Sequence, residues 1–267
     1  MKNLVIGNTS QFSHYINKND SVFISSREKN LDKYKTESWD NIILCFGESR
    51  KFIENIWLYE KINVELTKYY IENFKDIAKK IYVFSTCELW NRYSGQVSLE
   101  LSMYHWDTPY LNSKKNITEY IFAEQSKNKL KNVVVIFPFN FNSPYRKKDF
   151  LFGKIYNSIL NKEQIIIGNT YFYRDIISPF FLMKELFKTS EHKLIGSGRL
   201  VFVNDFIRDL YKSFDLNYND YVFEDIKKYN EYYSTNEYYL KTNNCLYSYD
   251  NLLQETVMDL INYKSIK

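Results

Sequence analysis

Short apolar segments alternate with longer amphipathic ones through the first half of the chain, and this alternation constrains the fold more than any other feature. The apolar runs are rich in β-branched side chains and occupy residues 4–6, 22–24, 42–45, 81–84 and 133–136. The segments 62–78 and 115–126, which lie between them, have helical periodicity. Strands that are apolar on both faces are typical of a parallel sheet covered on each side by helices. The sequence therefore predicts an α/β fold with a doubly wound parallel sheet.

Composition argues against several kinds of partner. The net charge of the 267-residue chain is only +4, without a long basic run, so no nucleic-acid partner is expected. The 25 tyrosines and 20 phenylalanines accompany abundant Lys, Asn and Ile throughout, which favours a compositional bias over base-stacking sites. Neither a leader nor an apolar stretch of membrane-spanning length is found, so we expect a cytoplasmic protein without a membrane partner.

Cysteines and histidines are too scattered to predict a metal site. Cys45, Cys87 and Cys245 lie far apart and are odd in number, which is typical of a reducing compartment. The three histidines are dispersed as well. No metal is therefore expected.

The first apolar run leads into a loop that resembles a degenerate dinucleotide-binding turn. In a Gly-x-x-Gly-x-x-Gly loop, the backbone approaches a pyrophosphate at the N-terminus of the following helix. Here Gly7 remains, while Ser10 and Ser13 replace the other glycines. Serine keeps the turn tight and its hydroxyl can bind phosphate, but an ordinary strand-to-helix turn explains the loop about equally well. The cofactor-binding residues predicted in this loop are Gly7, Asn8, Thr9, Ser10, Gln11 and Phe12.

The second apolar run ends in Ser25-Ser26-Arg27, which bears on the choice of cofactor. An acidic residue here would hydrogen-bond the adenosine ribose of NAD, and none is present. A hydroxyl and a guanidinium suit a ribose 2′-phosphate. Ser26 and Arg27 therefore favour NADP(H), with NAD(H) as a second possibility. The alternative interpretation is a solvated surface arginine.

Two segments supply candidate catalytic groups. Ser85 and Thr86 follow the fourth apolar run, where ligands bind at the carboxyl ends of parallel strands. Tyr110 and Lys114 are spaced to share one face of a helix. Free tyrosine has a pKa of about 10, and a nearby ammonium and an oxidised nicotinamide both favour the phenolate. The alternatives are a helix cap at Ser85-Thr86 and a chance Tyr-x-x-x-Lys.

Beyond Pro138 the pattern becomes less regular. Residues 165–167 predict a strand, and 182–187, 203–214 and 251–263 predict helices, whereas 218–247 are polar. We expect a dinucleotide-binding Rossmann domain over residues 1–140. A small substrate-binding lobe is expected over 141–267, with some segments interleaved with the sheet.

In this order, the segments resemble an extended short-chain dehydrogenase/reductase, of the epimerase/dehydratase kind that acts on nucleotide-linked sugars. The resemblance covers most of residues 1–215 and includes the family's Arg-Pro-Phe-Asn-x-x-Gly-Pro segment, in which Phe137 replaces the arginine. The similar segments are 40–47, 62–64, 84–86, 109–114, 137–144, 168–175 and 195–198.

The resemblance implies roles for individual residues. Tyr110 would be the general acid/base, Lys114 would bind the nicotinamide ribose and lower the tyrosine pKa, and Thr86, or else Ser85, would hydrogen-bond the substrate oxygen. Asn63 would support the proton relay. The remaining implied positions are cofactor contacts at Cys45, Phe46, Gly47, Asn63, Lys114 and Phe137 and substrate contacts at Asn140, Arg174 and Glu88. For Arg174 the alternative is a surface salt bridge with Asp175.

The resemblance also implies an activity. We expect an NADPH-dependent reductase of a keto group, at C4, of a nucleotide-linked deoxysugar used for bacterial surface polysaccharide. One alternative is an epimerase or 4,6-dehydratase with retained NAD, since Thr86-Cys87-Glu88 resembles the dehydratases' Thr-Asp-Glu. Another is a non-catalytic nucleotide-binding protein, since two loop glycines are lost. A homodimer that pairs helices 62–78 and 115–126 is expected by analogy.

Overall fold

The computed structural model describes residues 1–50, 53–225, 240–241 and 247–266 in two compact units. The first unit comprises Met1–Trp90, Ser102–Pro138 and Glu185–Leu194, and the second comprises Asn91–Leu101, Phe139–Lys184 and Ile195–Lys267. Cys245 lies outside the described residues. The assignment of cofactor and substrate to residues 1–140 and 141–267 stays a prediction.

The elements follow the alternation expected from the sequence. The strands are β1 (Asn3–Ile6), β2 (Ser21–Ile24), β3 (Trp39–Leu44), β4 (Ala78–Phe84), β5 (Gly95–Gln96), β6 (Val133–Pro138), β7 (Asn140–Phe141), β8 (Ile165–Ile167), β9 (Tyr173–Arg174), β10 (Ile176–Ile177), β11 (Lys193–Ile195), β12 (Val201–Phe202), β13 (Val222–Glu224) and β14 (Leu240–Lys241). The α-helices are α1 (Asp32–Lys35), α2 (Trp57–Tyr59), α3 (Leu66–Phe74), α4 (Pro109–Ser126), α5 (Leu151–Asn161), α6 (Pro179–Leu186), α7 (Val203–Lys212), α8 (Tyr218–Tyr221) and α9 (Tyr249–Ile266).

A six-stranded sheet organises the first unit. Its order is β11-β6-β4-β3-β1-β2, and the neighbouring strands from β2 to β6 pair in parallel. Every residue of β1 and β6 is buried, so these strands pack on both faces. This explains why their sequences are continuously apolar instead of alternating. The predicted α/β fold with a Rossmann-type parallel sheet is confirmed.

Three polar side chains fix the register at the amino end of this sheet. Asn3 pairs in register with Ser21 on β2 and with Asn41 on β3. The amide of Asn41 donates to Asn3 Oδ1 at 2.9 Å, and the amide of Asn3 donates to Ser21 Oγ at 3.2 Å. A one-residue slip of any of these strands would break the polar ladder and leave buried polar groups unpaired. The carboxyl ends of β1, β2 and β3 are thereby held level.

The helix predicted over residues 62–78 begins earlier and ends earlier. It starts at Trp57 as α2, passes through a π-helical turn at Glu60–Glu65 and ends with α3 at Phe74. The side-chain amide of Asn132 binds the carbonyl oxygens of Lys75 and Ala78 at 2.8 and 2.7 Å. These bonds hold the turn into β4, which the helical periodicity did not reveal.

The second unit consists of short strand pairs and helices. β7 pairs with β10 and β8 with β13 in parallel, whereas β9 and β12 are antiparallel. The predicted strand 165–167 is β8, and the closing helix predicted over 251–263 is α9. In the part of the chain that the structure describes, no helix combines the length and the apolar character needed to cross a membrane.

A close packing contact at Gly153 gives a prediction for the second unit. A Cβ at Gly153 would lie 2.0 Å from the carbonyl oxygen of Lys147. We therefore expect Gly153→Ala to lower the free energy of unfolding by about 1–3 kcal/mol, because the start of α5 must move away. Gly168→Ala is the matched control, since no atom lies within 4 Å of its Cβ. Equal stabilities of the two variants in urea denaturation would contradict the contact.

Candidate cofactor and catalytic site

Gly7 lies where the loop after β1 packs closely against the loop after β3. Its φ of +104° suits glycine, and a Cβ would lie 2.9 Å from the Phe46 nitrogen. The amides of Gly7 and Asn8 both donate to the carbonyl oxygen of Ile24, at 2.9 and 3.2 Å. The loop after β1, the end of β2 and the loop after β3 therefore meet at the carboxyl edge of the sheet. This edge is where a nucleotide binds in a parallel α/β sheet.

The helix expected after this loop does not form. Only 3-10 turns, Ser13–Tyr15 and Lys18–Asp20, lie between β1 and β2. The buried Ser13 hydroxyl binds the carbonyl oxygens of Asn8 and Ser10 at 3.0 and 2.7 Å, which closes a turn instead of propagating a helix. Both sequence interpretations of the loop assumed a helix, and both are wrong on this point.

The predicted determinants of the cofactor's 2′-phosphate lie beside the loop. Ser25 Oγ accepts a hydrogen bond from the Arg27 amide at 3.1 Å, which shapes the turn after β2. Arg27 is exposed and Ser26 is half-buried. Because Ile24 binds the amides of Gly7 and Asn8, this turn is adjacent to the loop after β1. Contact with the adenosine ribose of a dinucleotide requires this turn to lie beside the loop after β1, as it does. The contact itself stays a prediction.

Asn63, in the π-helical turn, ties the loop after β3 to α4. Its Oδ1 accepts from the Glu48 amide at 2.9 Å, and its Nδ2 donates to the Glu48 carbonyl oxygen at 3.1 Å. The same Nδ2 donates to Ser113 Oγ at 2.9 Å, and that hydroxyl donates to the carbonyl oxygen of Tyr110 at 2.7 Å. One buried amide thus positions both the β3 loop and the first turns of α4.

Lys114 carries a buried ammonium at the same place. Its Nζ donates to the carbonyl oxygen of Phe84, at the end of β4, at 2.9 Å. A Cβ at Gly47 would lie 3.4 Å from this Nζ and 3.3 Å from Asn63 Oδ1, so the glycine keeps the space beside the ammonium open. Burial lowers the pKa of Lys114 to about 8. The structure therefore brings together Gly47, Asn63 and Lys114, as the resemblance implied.

Tyr110 lies in the first turn of α4, which begins before the predicted residue 115. Thr108 Oγ1 accepts from the Leu111 amide at 3.2 Å, and Pro109 follows this cap in the first helical turn. The half-buried Tyr110 ring lies 6.1 Å from the ring of Tyr59 at an interplanar angle of 57°. Its spacing of four residues places it on the helix face that carries Lys114.

Ser85 and Thr86 follow β4 and differ in their contacts. Ser85 Oγ lies 3.1 Å from Thr118 Oγ1, which donates to the carbonyl oxygen of Lys114 at 2.8 Å. Thr86 Oγ1 accepts from the amide of the half-buried Glu88 at 3.2 Å and begins the 3-10 turn Cys87–Trp90. The cap that was the alternative for Thr86 is therefore present. The Thr86 hydroxyl is the acceptor in that bond, so its hydrogen is not used there.

Two other predicted cofactor contacts lie in aromatic pairs. The Phe12 ring packs edge-on against the Phe84 ring with centroids 4.5 Å apart. Phe137 is fully buried against Trp90.

Burial raises the pKa of the thiol of Cys45, another predicted cofactor contact, which keeps this thiol protonated and unreactive. The roles of these residues toward a cofactor stay predictions.

An ion pair that carried no motif in the sequence holds the loop after β3. Glu48 is 8% exposed, and its carboxylate accepts from Arg50 Nε at 2.9 Å and from Nη2 at 2.6 Å. The Tyr59 hydroxyl donates to the carbonyl oxygen of Arg50. In the sequence, the signal for this ion pair was an acidic and a basic residue two positions apart, directly after Gly47.

The predicted diphosphate-binding residues belong to the second unit. Asn140 Nδ2 donates to the carbonyl oxygen of Asp175 at 3.3 Å. The Arg174 guanidinium lies 4.5 Å from the centroid of the Phe172 ring, and its Nη1 donates to the Tyr173 carbonyl oxygen at 2.8 Å. Asp175 is fully buried, and its carboxylate accepts from the backbone amides of Ser197 and Gly198 and from the Ser197 hydroxyl. Three segments that carried the family resemblance, 137–144, 168–175 and 195–198, are thus bonded through Asp175.

Known structures share this fold, although no family model matches the sequence. RMD from Pseudomonas aeruginosa, complexed with NADPH, superposes with a TM-score of 0.77 at 12% identity over 98% of this chain and 100% of that chain. The dTDP-glucose 4,6-dehydratase DesIV from Streptomyces venezuelae, with NAD, gives 0.78 at 14% identity over 100% and 98%. The UDP-glucuronic acid 4-epimerase from Bacillus cereus, with NAD, gives 0.73 at 15% identity over 99% and 100%.

The chain has the fold of an extended short-chain dehydrogenase/reductase. The observed geometry also fits a nicotinamide dinucleotide. Gly47 leaves room beside Lys114 that a Cβ would fill, and the buried Gln11 Oε1 has no hydrogen-bond partner among the described residues. The predicted residues that would bind it stay those of the loop after β1, the turn after β2, Gly47 and Lys114.

The bridging role of Asn63 can be tested by stability. Asn63→Leu removes bonds to the Glu48 backbone and to Ser113 in a buried setting. We expect a loss of about 1–3 kcal/mol in the free energy of unfolding, measured by urea denaturation. Asn116→Leu, on the exposed face of α4, is the control and should change stability by less than about 0.5 kcal/mol. An Asn63→Leu variant as stable as this control would show that the bridge is unimportant.

Proposed function

We propose that the protein is a reductase that uses NADPH to reduce a keto group, at C4, of a nucleotide-linked deoxysugar. The observation that carries this proposal is the buried Lys114 ammonium beside Gly47 and Asn63, on the helix face that also bears Tyr110. A phenol near a buried cation at the carboxyl edge of a parallel sheet suits proton transfer to a substrate oxygen.

Each group has a distinct role in the proposed reaction. Bound NADPH supplies the hydride that reduces the keto carbon. Tyr110 donates its proton to the carbonyl oxygen as that oxygen gains negative charge, and the Lys114 ammonium stabilises the phenolate that is left. The Thr86 hydroxyl donates a hydrogen bond to the same oxygen. Ser85 is the alternative donor, but its hydroxyl would first have to leave Thr118 Oγ1. Asn63 keeps α4 and the β3 loop in position through Glu48 and Ser113.

Substrate recognition is assigned to residues of the second unit. Arg174 presents a guanidinium, which can bind a diphosphate in a bidentate manner, and Asn140 supplies an amide. The stacking of Arg174 on Phe172 limits the orientations of its side chain. The structural neighbours named as acting on dTDP-glucose and UDP-glucuronic acid support a nucleotide-linked sugar.

A 4,6-dehydratase with retained NAD is the second candidate. Glu88 follows the Thr86 cap, is half-buried, and can act as a base near the substrate hydroxyl that Thr86 binds. Cys87 replaces the acid expected in dehydratases, so the reductase is preferred. An epimerase would also retain NAD. A non-catalytic nucleotide-binding protein is favoured by the two glycines lost at Ser10 and Ser13 and by the missing helix after the loop.

The oligomeric state, biological role and location of the enzyme are also part of the proposal. The homodimer would pair α2–α3 and α4 with their copies, and the exposed Trp57 and Tyr69 on the first of these segments support an interface. The proposed role is sugar biosynthesis for bacterial surface polysaccharide, carried out in the cytoplasm.

The reaction is tested by following NADPH absorbance with a panel of 4-keto sugar nucleotides. We expect oxidation of NADPH by the native protein and a turnover at least ~100-fold lower for Tyr110→Phe, because the proton donor is lost. Tyr34→Phe, outside the site, should be unaffected. An undiminished rate in Tyr110→Phe removes Tyr110 from the mechanism, and no oxidation across the panel counts against the reductase.

The cofactor preference is tested at Arg27. Arg27→Ala removes a guanidinium that only a 2′-phosphate requires, so we expect the Kd for NADPH to rise about tenfold or more, with little change for NADH. Lys29→Ala, a nearby exposed cation, is the control. Binding is measured by nicotinamide fluorescence. Equal effects on NADPH and NADH would contradict the predicted role of Arg27.

A further inference from the structure

Most amide donors of the loop Gly7–Ser13 are already hydrogen-bonded within the protein. The amides of Gly7 and Asn8 bind Ile24, that of Ser10 binds the Gly7 carbonyl oxygen, and that of Ser13 binds the Ser10 carbonyl oxygen. A diphosphate binding at this loop would need amides that are not already paired.

Ser10 engages one more of these donors. Its Oγ accepts from the Phe12 amide at 3.3 Å. In a glycine-rich loop the residue at this position has no side chain, so the backbone can approach the diphosphate. Here the serine hydroxyl occupies the Phe12 amide instead. The amides of Thr9 and Gln11 have no acceptor among the described residues.

No helix dipole compensates for the occupied amides. The Ser13–Tyr15 turn is too short for its aligned peptide dipoles to attract an anion as a full helix would. The Ser13 hydroxyl is also engaged, since it donates to carbonyl oxygens of the loop. The anchoring for a diphosphate at this loop is therefore weaker than in a glycine-rich loop followed by a helix.

We propose that Ser10 competes with the cofactor's diphosphate for the Phe12 amide, so that within this loop the diphosphate binds only the amides of Thr9 and Gln11 and the cofactor exchanges readily. This inference rests on the proposed function only in requiring a nicotinamide dinucleotide at this loop. It deepens that function, because a reductase must release its oxidised cofactor in every cycle, whereas a dehydratase or epimerase regenerates a retained one.

The test compares NADPH binding by the native protein and by Ser10→Ala, using nicotinamide fluorescence in the absence of any sugar substrate. Removing the hydroxyl frees the Phe12 amide, so the expected Kd is about fivefold lower, the contribution of one hydrogen bond. Ser10→Gly, which also removes the Cβ, is a second variant and should bind at least as tightly as the native protein. Thermal denaturation establishes that each variant is folded.

Ser248→Ala is the matched control. Ser248 Oγ accepts from the Asn251 amide at 3.1 Å at the start of α9, so a bond of the same kind is lost in the second unit. Its Kd for NADPH should equal that of the native protein.

The possible results separate this inference from the proposed function. Unchanged or weaker NADPH binding by folded Ser10→Ala overturns the inference and leaves the reductase proposal standing. Stoichiometric NAD retained by the isolated protein through gel filtration overturns the inference and favours the dehydratase or epimerase. If neither native protein nor variants bind NADPH or NADH, the inference and the proposed function both fail.

Discussion

The side-chain amide of Asn63 is the interaction on which the candidate site depends. It binds both backbone groups of Glu48 and the hydroxyl of Ser113, and so joins the loop after β3 to the helix that carries Tyr110 and Lys114. The buried ammonium of Lys114 then has a defined place beside Gly47 and the carbonyl oxygen of Phe84. A buried polar network of this kind is rigid only when its members are paired, and the bonds made by Asn63 provide that pairing.

The fold could be predicted from the sequence because its strands are apolar on both faces. That pattern follows directly from burial in a parallel sheet and needs no knowledge of distant contacts. Element boundaries were less accessible, since they depend on side chains far away in the sequence. Asn132 fixes the turn before β4, and Thr108 starts α4 at Pro109 although helical periodicity is clear only from residue 115. Neither bond leaves a periodic signal.

The candidate site was predictable to a similar extent. Gly47, Asn63 and Lys114 come together as the family resemblance implied, because the order of motifs along a parallel sheet determines which loops meet at its carboxyl edge. The missing helix after Gly7 was not foreseen, since it depends on the Ser13 hydroxyl turning back to backbone carbonyl oxygens. The Glu48–Arg50 pair was also missed, because a carboxylate and a guanidinium two residues apart resemble an ordinary surface sequence.

The ladder of Asn41, Asn3 and Ser21 has a consequence for the conditions under which the sheet keeps its alignment. Amides and hydroxyls do not titrate in the range where proteins fold, and bonds between uncharged groups are little affected by dissolved ions. Charged side chains paired at these positions would interact more weakly in acid, which protonates carboxylates, and in concentrated salt, which screens charges. The alignment of these strands should therefore persist across wide changes of acidity and ionic strength. The loops at the opposite edge of the sheet then keep their relative positions under the same conditions.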